Sequence, residues 1–334
     1  MIQRRAFIQQ TGIIVSGMIA NLPVLNNFKN VVMKQDNQFD VIIVGGSYSG
    51  LSAAMALGRA LRKVLVIDAG NPCNKQTPHS HNFLTNDGKT PKEIATLARQ
   101  QVQNYPTVRF HDGYATTGIK TEKGFIIQTD AGESYTSRKL VFATGIKDIM
   151  PPIPGFAESW GISVLHCPYC HGYEVRHQTT GVLANGDAAV ELASLISNWT
   201  KDLTLYTNGP SSLTNEQKAK LEKNQISIVE AVIDRLDHTQ GSIKQILFKD
   251  GSKAPVKAIY ARLPFVQHSS IPQELGSDLT QDGFIKIDPA HRTSIQGVYA
   301  CGDNTTKMRT VANAVSMGTT TGFMVNKELI EEDF

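Results

Sequence analysis

The stretch between residues 39 and 68 constrains the fold more than any other part of the chain. It begins with the continuous apolar run Phe39–Val44, which is typical of a strand buried on both faces of a parallel sheet. A glycine-rich loop (residues 45–50), a helical segment from 51 to about 62 and a second apolar run (63–68) follow. This order predicts an α/β fold of the Rossmann type, in which helices cover both faces of the sheet in three layers.

The loop has the spacing of a dinucleotide-binding fingerprint. Gly45 permits the tight turn, and Gly50 lets the helix pack closely on the strand. The helix N-terminus offers amides to a pyrophosphate, and Asp68, 23 residues after Gly45, can accept from ribose hydroxyls. Ser47 replaces the middle glycine but is small enough for close phosphate approach. We therefore expect a bound dinucleotide; the alternative is a sheet-helix turn without a ligand.

The central segment 166–172 (HCPYCHG) carries two of the four cysteines, Cys167 and Cys170. Cysteines at this spacing at the start of a helix can close a disulfide, and the helix end lowers the pKa of a thiol. The segment predicts a redox-active dithiol, with a structural disulfide, half of a zinc site and a haem c attachment site as alternatives. Because Cys73 and Cys301 are isolated in sequence, they supply no second zinc pair, and we predict no metal.

Three further segments resemble parts of nucleotide-binding units. Residues 140–145 (LVFATG) and 297–303 (GVYACGD) are buried strands that end in tight turns. Residues 181–191 form a second strand-loop-helix, which is followed by a strand at 203–206. A proline-rich hinge, residues 150–155, precedes this second strand-loop-helix. The chain therefore contains two units of this type.

Together these motifs resemble those of low-molecular-weight thioredoxin reductases, over about residues 38–330. The resemblance implies two Rossmann-like dinucleotide-binding domains, the second inserted in the first. An FAD-binding domain would comprise residues 38–150 and 283–334, and an NAD(P)-binding-like domain, 151–282, would carry the dithiol. The family also implies a homodimer.

By the same resemblance, Asp303 holds the ribityl chain of FAD, and the helix after Arg309 and Thr310 points at the pyrimidine edge of the flavin. A positive helix end there would stabilise anionic reduced flavin. The expected FAD-binding residues are Gly45, Ser47, Gly50, Asp68, Thr144, Gly145, Gly302, Asp303, Arg309 and Thr310.

The motifs CPYCHGYE, GGSY and CGDNTTKMR look most like a subgroup that includes fungal dithiol oxidases, which close disulfides in gliotoxin-type metabolites. By resemblance, Cys170 lies beside the flavin and Cys167 reacts with the substrate. His171 stands where thioredoxin reductases carry an acid-base aspartate, and an imidazole suits proton transfer near neutrality. The alternative for His171 is a helix residue without a chemical role.

The partner would be a small thiol or disulfide, or a thioredoxin-like protein. Electrons could flow from NAD(P)H to a disulfide, or from a dithiol to oxygen or another acceptor. A non-catalytic flavin-binding protein is the alternative of another class. With 19% charged residues, a net charge of +3 and no basic run, the composition describes a soluble globular protein and gives no sign of nucleic-acid binding.

The second nucleotide unit departs from its fingerprint. Ala184 stands where a glycine makes the tight turn, and Asn185 follows it. Residues 206–211 (YTNGPS) contain neither arginines for a 2′-phosphate nor an acid for an NAD ribose. We therefore expect NAD(P)H to be a poor reductant or none; the alternative is a degenerate loop that still binds it.

The N-terminus resembles a twin-arginine export signal. Arg4 and Arg5 are followed by Phe7 and a short apolar run at 12–20. We expect residues 1–37 to be an export signal and linker, which places the protein in the periplasm or cell envelope. A basic tail on a cytoplasmic protein and an uncleaved membrane anchor are the alternatives.

The loop 78–82 contains His79 and His81. The resembling subgroup places it near the flavin and dithiol, but we favour a solvated loop. Cys73 and Cys301 are interpreted as unpaired small residues.

Overall fold

The structure, a computed structural model, describes residues 37–334, so the export signal predicted around Arg4 and Arg5 lies outside the described residues. The strands are β1 (Gln38–Val44), β2 (Val64–Asp68), β3 (Val108–Asp112), β4 (Ala115–Thr121), β5 (Gly124–Thr129), β6 (Ser134–Phe142), β7 (Ile146–Asp148), β8 (Val164–Leu165), β9 (Thr180–Leu183), β10 (Leu203–Tyr206), β11 (Ser227–Val229), β12 (Ile233–Thr239), β13 (Ser242–Phe248), β14 (Lys253–Pro255), β15 (Ala258–Ala261), β16 (Phe265–Gln267) and β17 (Val298–Ala300). The helices are α1 (Tyr48–Arg59), α2 (Pro91–Gln103), α3 (Phe156–Ser159), α4 (Pro168–His171), α5 (Asp187–Ile196), α6 (Asn215–Lys223), α7 (Ile271–Glu274) and α8 (Val311–Asp333).

The first sheet joins the two ends of the described chain. Its order is β3-β2-β1-β6-β5-β4. Strand β17 pairs with residues 140–142 at the end of β6. Strands β1, β2, β3, β6 and β17 run parallel, whereas β4 and β5 are antiparallel. In β17, Val298 lies opposite Leu140 of β6. The first unit is therefore built from segments on both sides of the second.

The second sheet has the order β11-β10-β9-β15-β8 and is parallel throughout. All its strands lie between β6 and β17 in sequence, so the predicted α/β fold with an inserted second unit is confirmed. The ribbon formed by β7 and β16 joins the units where the chain leaves and returns. Packing against the core of the first unit resumes at Ile271, before the predicted boundary at residue 283.

Helices α1 and α8 pack with almost no space between their backbones. A Cβ atom on Gly318 would lie 2.1 Å from the carbonyl oxygen of Ser49, and one on Gly322 would lie 2.9 Å from that of Ala53. The Ser52 hydroxyl donates to the carbonyl of Val315 at 2.7 Å. This contact brings the N-terminal ends of both helices to one cavity, which Tyr48 and Val311 line.

Ion pairs with a buried lysine hold the other end of α8. Lys139 on β6 is only 3% exposed, and its ammonium group contacts the carboxylates of Glu328 and Glu332. Tyr299 on β17 donates to Glu328 as well. Within residues 37–334, no helix is long and apolar enough to cross a membrane.

We expect Gly318→Ala to lower the free energy of unfolding by about 2 kcal/mol, because the added methyl group forces α8 away from the Ser49 carbonyl. Thermal and urea unfolding measure the loss. Ser316→Ala, at an exposed position of the same helix, is the matched control and should change stability little. Equal stability of the two variants would contradict the close helix contact.

Candidate active site

A cavity of about 600 Å³ lies between the two units. All the residues predicted to act at the site line this cavity except Gly50, Cys167 and Gly302. The two glycines act through the backbone instead. A Cβ atom on Gly302 would lie 2.5 Å from the Ser49 hydroxyl oxygen, and one on Gly50 would lie 1.8 Å from the Gly45 carbonyl oxygen.

The first loop forms one wall of the cavity. Gly45 has a φ of +106°, and a Cβ atom there would lie 2.2 Å from the carbonyl oxygen of Ala143. Asp68 accepts a hydrogen bond from the backbone amide of Gly46 at 3.2 Å. Ser47 precedes α1, and its side chain does not cap the helix. A cradle that only glycine can form, at the start of a helix, fits the pyrophosphate of a dinucleotide.

Charged side chains meet at another part of the cavity wall. The Arg309 guanidinium donates to both oxygens of Asp148, at 2.8 and 2.9 Å, and its Nε lies 3.7 Å from Asp303. Burial raises the pKa of Asp303 to about 6, although Arg309 opposes the shift. Thr310 caps α8 by accepting from the Asn313 amide at 3.1 Å. Sequence reasoning missed Asp148, because nothing near it in sequence indicates its partner.

Among the residues that line the cavity, three buried polar atoms have no hydrogen-bond partner: Asn74 Oδ1, His166 Nε2 and Arg309 Nε. Buried polar atoms are normally paired, so unpaired ones beside a cavity of this size indicate a polar ligand. Together with the glycine cradle, they fit FAD.

Cys167 and Cys170 form a disulfide, with 5.3 Å between their Cα atoms. Cys167 precedes α4 as its N-cap, so the predicted position of the pair at a helix start agrees with the structure. Cys170 lines the cavity, whereas Cys167 is 8% exposed and does not. Cys170 is therefore the sulfur that faces the cofactor side.

Two histidines flank the disulfide at the cavity. Burial lowers the pKa of His171 to about 4, and the charge of His81 adds to the effect. Burial also lowers the pKa of His166 to about 4, assisted by Arg309. Both imidazoles are therefore neutral near pH 7, and each is a weaker base than an ordinary histidine. Sequence reasoning assigned no role to His166; the signal that could have found it is its position directly before Cys167.

The solvated loop that we favoured for residues 78–82 is only partly correct. His79 is exposed, but His81 is half-buried and lines the cavity. The ring nitrogens of His81 lie 3.6 Å from Glu174 and 3.7 Å from Asp87. Both carboxylates line a second, more open cavity, so His81 lies between that cavity and the first one.

Cys73 also lines the cavity, with its sulfur 3.9 Å from an Asp303 carboxylate oxygen. Desolvation by the surrounding protein, together with the charge of Asp303, raises the pKa of Cys73 to about 12. Cys301 is buried in the core of the first unit. Both thiols are unpaired, and residues 37–334 contain no group of three or more His, Cys, Asp or Glu side chains that could hold a metal.

In the second unit, the side chain of Asn185 occupies the nucleotide-binding loop. Its oxygen accepts from the Gly186 and Ser212 amides, both at 2.9 Å, and its nitrogen donates to the Pro210 carbonyl at 3.0 Å. We call these contacts the Asn185 clasp. They tie the turn after β9 to the turn after β10, where the fingerprint would receive a pyrophosphate. Asp187 adds a carboxylate at the N-terminus of α5.

Comparisons with known proteins agree with this architecture. A family model for pyridine nucleotide-disulphide oxidoreductases matches residues 39–318. The chain is 32% identical to thioredoxin reductase tcpT of Claviceps purpurea, and the match covers 90% of this chain and 97% of that protein. An oxidoreductase from Agrobacterium tumefaciens is 34% identical, with a TM-score of 0.83 over 88% of this chain and 99% of the other. The structure of HlmI is 31% identical, with a TM-score of 0.84 and coverage of 90% and 95%.

The positions of the two sulfurs predict an asymmetry. Cys167→Ser should leave the Cys170 thiolate facing the flavin site and give the FAD-loaded protein a long-wavelength absorbance band that grows as the thiol ionises. Cys170→Ser should lack the band, because Cys167 does not line the cavity. Absorbance spectra over a pH series measure the difference. A band in Cys170→Ser alone would reverse the two roles.

Proposed function

Since this chain belongs to the pyridine nucleotide-disulphide oxidoreductase family and is a thioredoxin reductase-like, flavin-dependent disulfide oxidoreductase, we propose that it works as a dithiol oxidase. Its substrate is a dithiol, its product the corresponding disulfide, and the electrons leave to oxygen or another acceptor. The resemblance to a subgroup that includes gliotoxin-type dithiol oxidases supports this direction.

Thiol-disulfide exchange at Cys167 and Cys170 carries the first half of the reaction. A substrate thiolate attacks the sulfur of Cys167, which breaks the protein disulfide and releases Cys170 as a thiolate. The second substrate thiolate attacks the mixed disulfide, which releases Cys167 and the oxidised substrate. The two substrate thiols lose two protons: His171, neutral at pH 7 and adjacent to Cys170, relays one of them to solvent, and the released Cys167 thiolate takes up the other. Since Cys167 is 8% exposed, this exchange requires movement of the disulfide segment.

When bound, FAD would supply the two-electron redox chemistry that links the reduced dithiol to the final acceptor. The glycine turn at Gly45 and the N-terminus of α1 would hold its pyrophosphate, and Asp68 its ribose. Asp303, oriented by Arg309, would hold the ribityl chain. Arg309 is itself fixed by its two hydrogen bonds to Asp148, so this side of the site is rigid before the cofactor binds.

The Asn185 clasp is the observation that carries the proposed direction. Members of the family use NADPH, and a pyrophosphate would need the amides that Asn185 already engages. The carboxylate of Asp187 would repel it further. Each missing bidentate phosphate contact costs about 2 kcal/mol, so the absence of the two arginines that thioredoxin reductases carry at this strand end weakens NADPH binding by roughly a thousandfold. A dithiol is then the remaining electron donor.

Anaerobic mixing of the FAD-loaded protein with NADPH, NADH and a dithiol in turn tests the proposal. We expect the dithiol to bleach the flavin band and neither nicotinamide to do so at micromolar concentration. The variant Asn185→Gly with Asp187→Asn frees the loop and should raise the NADPH rate above that of the wild type. Rapid, saturable reduction of the wild type by NADPH would return this chain to the NADPH-dependent reductases.

We also propose that the protein is a homodimer, as its family resemblance implies, and that it is exported in the folded, FAD-loaded state. Twin-arginine export of folded protein suits a cofactor that is made in the cytoplasm, and Arg4 and Arg5 support it.

Replacing Arg4 and Arg5 together with lysine should retain the protein in the cytoplasm, because the export machinery reads the arginine pair rather than the charge. Fractionation of native cells, followed by immunoblotting, measures the distribution. An unchanged distribution would contradict export by this route.

A further inference from the structure

A second cavity of about 320 Å³ lies outside the disulfide, and we call it the outer cleft. Pro168 and Tyr169, the two residues between the cysteines, form part of its wall. His81 lines both this cleft and the cofactor cavity. A molecule in the outer cleft would therefore lie directly beside the redox pair.

The wall of the outer cleft is aromatic and accessible. Tyr169 and Tyr173 are 64% and 66% exposed, although both are large side chains. Tyr169 packs edge-on against Trp199, with 5.4 Å between the ring centroids, which fixes the orientation of one wall. Exposed aromatic side chains in a concave site are typical of ligand binding rather than of a solvated surface.

The charge of the outer cleft is negative. Its lining contains two carboxylates, Asp87 and Glu174, and no lysine or arginine. His81 lies between the carboxylates, 3.7 Å from Asp87 and 3.6 Å from Glu174, and a single imidazole cannot neutralise both. The Arg176 guanidinium stacks 3.8 Å above the Tyr173 ring and lies outside the lining.

We propose that the outer cleft binds the substrate and selects small dithiols that are neutral or positively charged over those that carry a carboxylate. This inference rests on the proposed dithiol oxidation. The volume of the outer cleft is at the low end for small-molecule sites, so the cleft fits a compact dithiol rather than a protein. The carboxylates would attract an amine or accept from an amide of the substrate and would repel an anion.

Dihydrolipoamide and dihydrolipoate are the matched probes, since they carry the same dithiol and differ in one remote negative charge. Anaerobic flavin reduction of the FAD-loaded full chain, followed over a range of concentrations, gives a second-order rate constant for each. We expect dihydrolipoamide to be faster by roughly three- to tenfold at low salt, and the ratio to fall as salt screens the carboxylates. Tyr173→Ser should weaken saturation by both probes.

The ratio should approach unity in the variant Asp87→Asn with Glu174→Gln, because both substitutions keep the shape and remove the charge. Glu216→Gln on α6, outside both cavities, removes one exposed charge and should leave the ratio unchanged.

Equal rates for the two probes in the wild type, or a ratio unaffected by the paired variant, would overturn the inference and leave dithiol oxidation standing. Failure of every dithiol to reduce the flavin would instead overturn the proposed function. Preferential reduction by a thioredoxin, insensitive to the paired variant, would indicate a protein substrate and also overturn the inference.

Discussion

The active site depends on places where two backbones touch without an intervening Cβ atom. Gly50 lies against the Gly45 carbonyl, and Gly318 against that of Ser49, at distances that no side chain could occupy. The first contact shapes the phosphate turn, and the second sets the N-terminus of α8 beside that of α1. Because both helix ends and the Gly45 turn face one cavity, the electrostatic environment of the cofactor follows from these close approaches.

Sequence patterns predicted the parts of the fold that local chemistry determines. Buried apolar runs located β1, β6 and β17, and glycine spacing located the turns that line the cavity, since a turn conformation depends on a few neighbouring residues. Side-chain contacts between residues that are distant in sequence were not predicted. Asp148 meets Arg309, 161 residues away, and only the tertiary fold shows it. The position of His81 also depends on the tertiary fold, because its partner Glu174 lies in the other unit, just after the disulfide segment.

The second unit retains its fold, but its nucleotide-binding loop differs from that of the first unit. In the first unit the loop lines the cofactor cavity; in the second, the Asn185 clasp engages the Gly186 amide of the loop and the Ser212 amide of the neighbouring turn from within the protein. These hydrogen bonds give the polar groups of the exposed loop partners within the protein, so the loop can persist without a ligand. The sequence indicated a departure at Ala184 and Asn185, and the side-chain contacts of Asn185 became visible only in the structure.

The central claim is that electrons pass from a dithiol, through Cys167 and Cys170, to an acceptor, without a nicotinamide. Oxygen uptake by the FAD-loaded protein with a dithiol alone, combined with reduction of an acceptor dye under anaerobic conditions, measures this directly. We predict turnover that yields equimolar disulfide and reduced acceptor, is unchanged by added NADPH and is abolished in Cys170→Ser. Absence of dithiol turnover with both acceptors, together with NADPH-driven reduction of disulfides, would contradict the account.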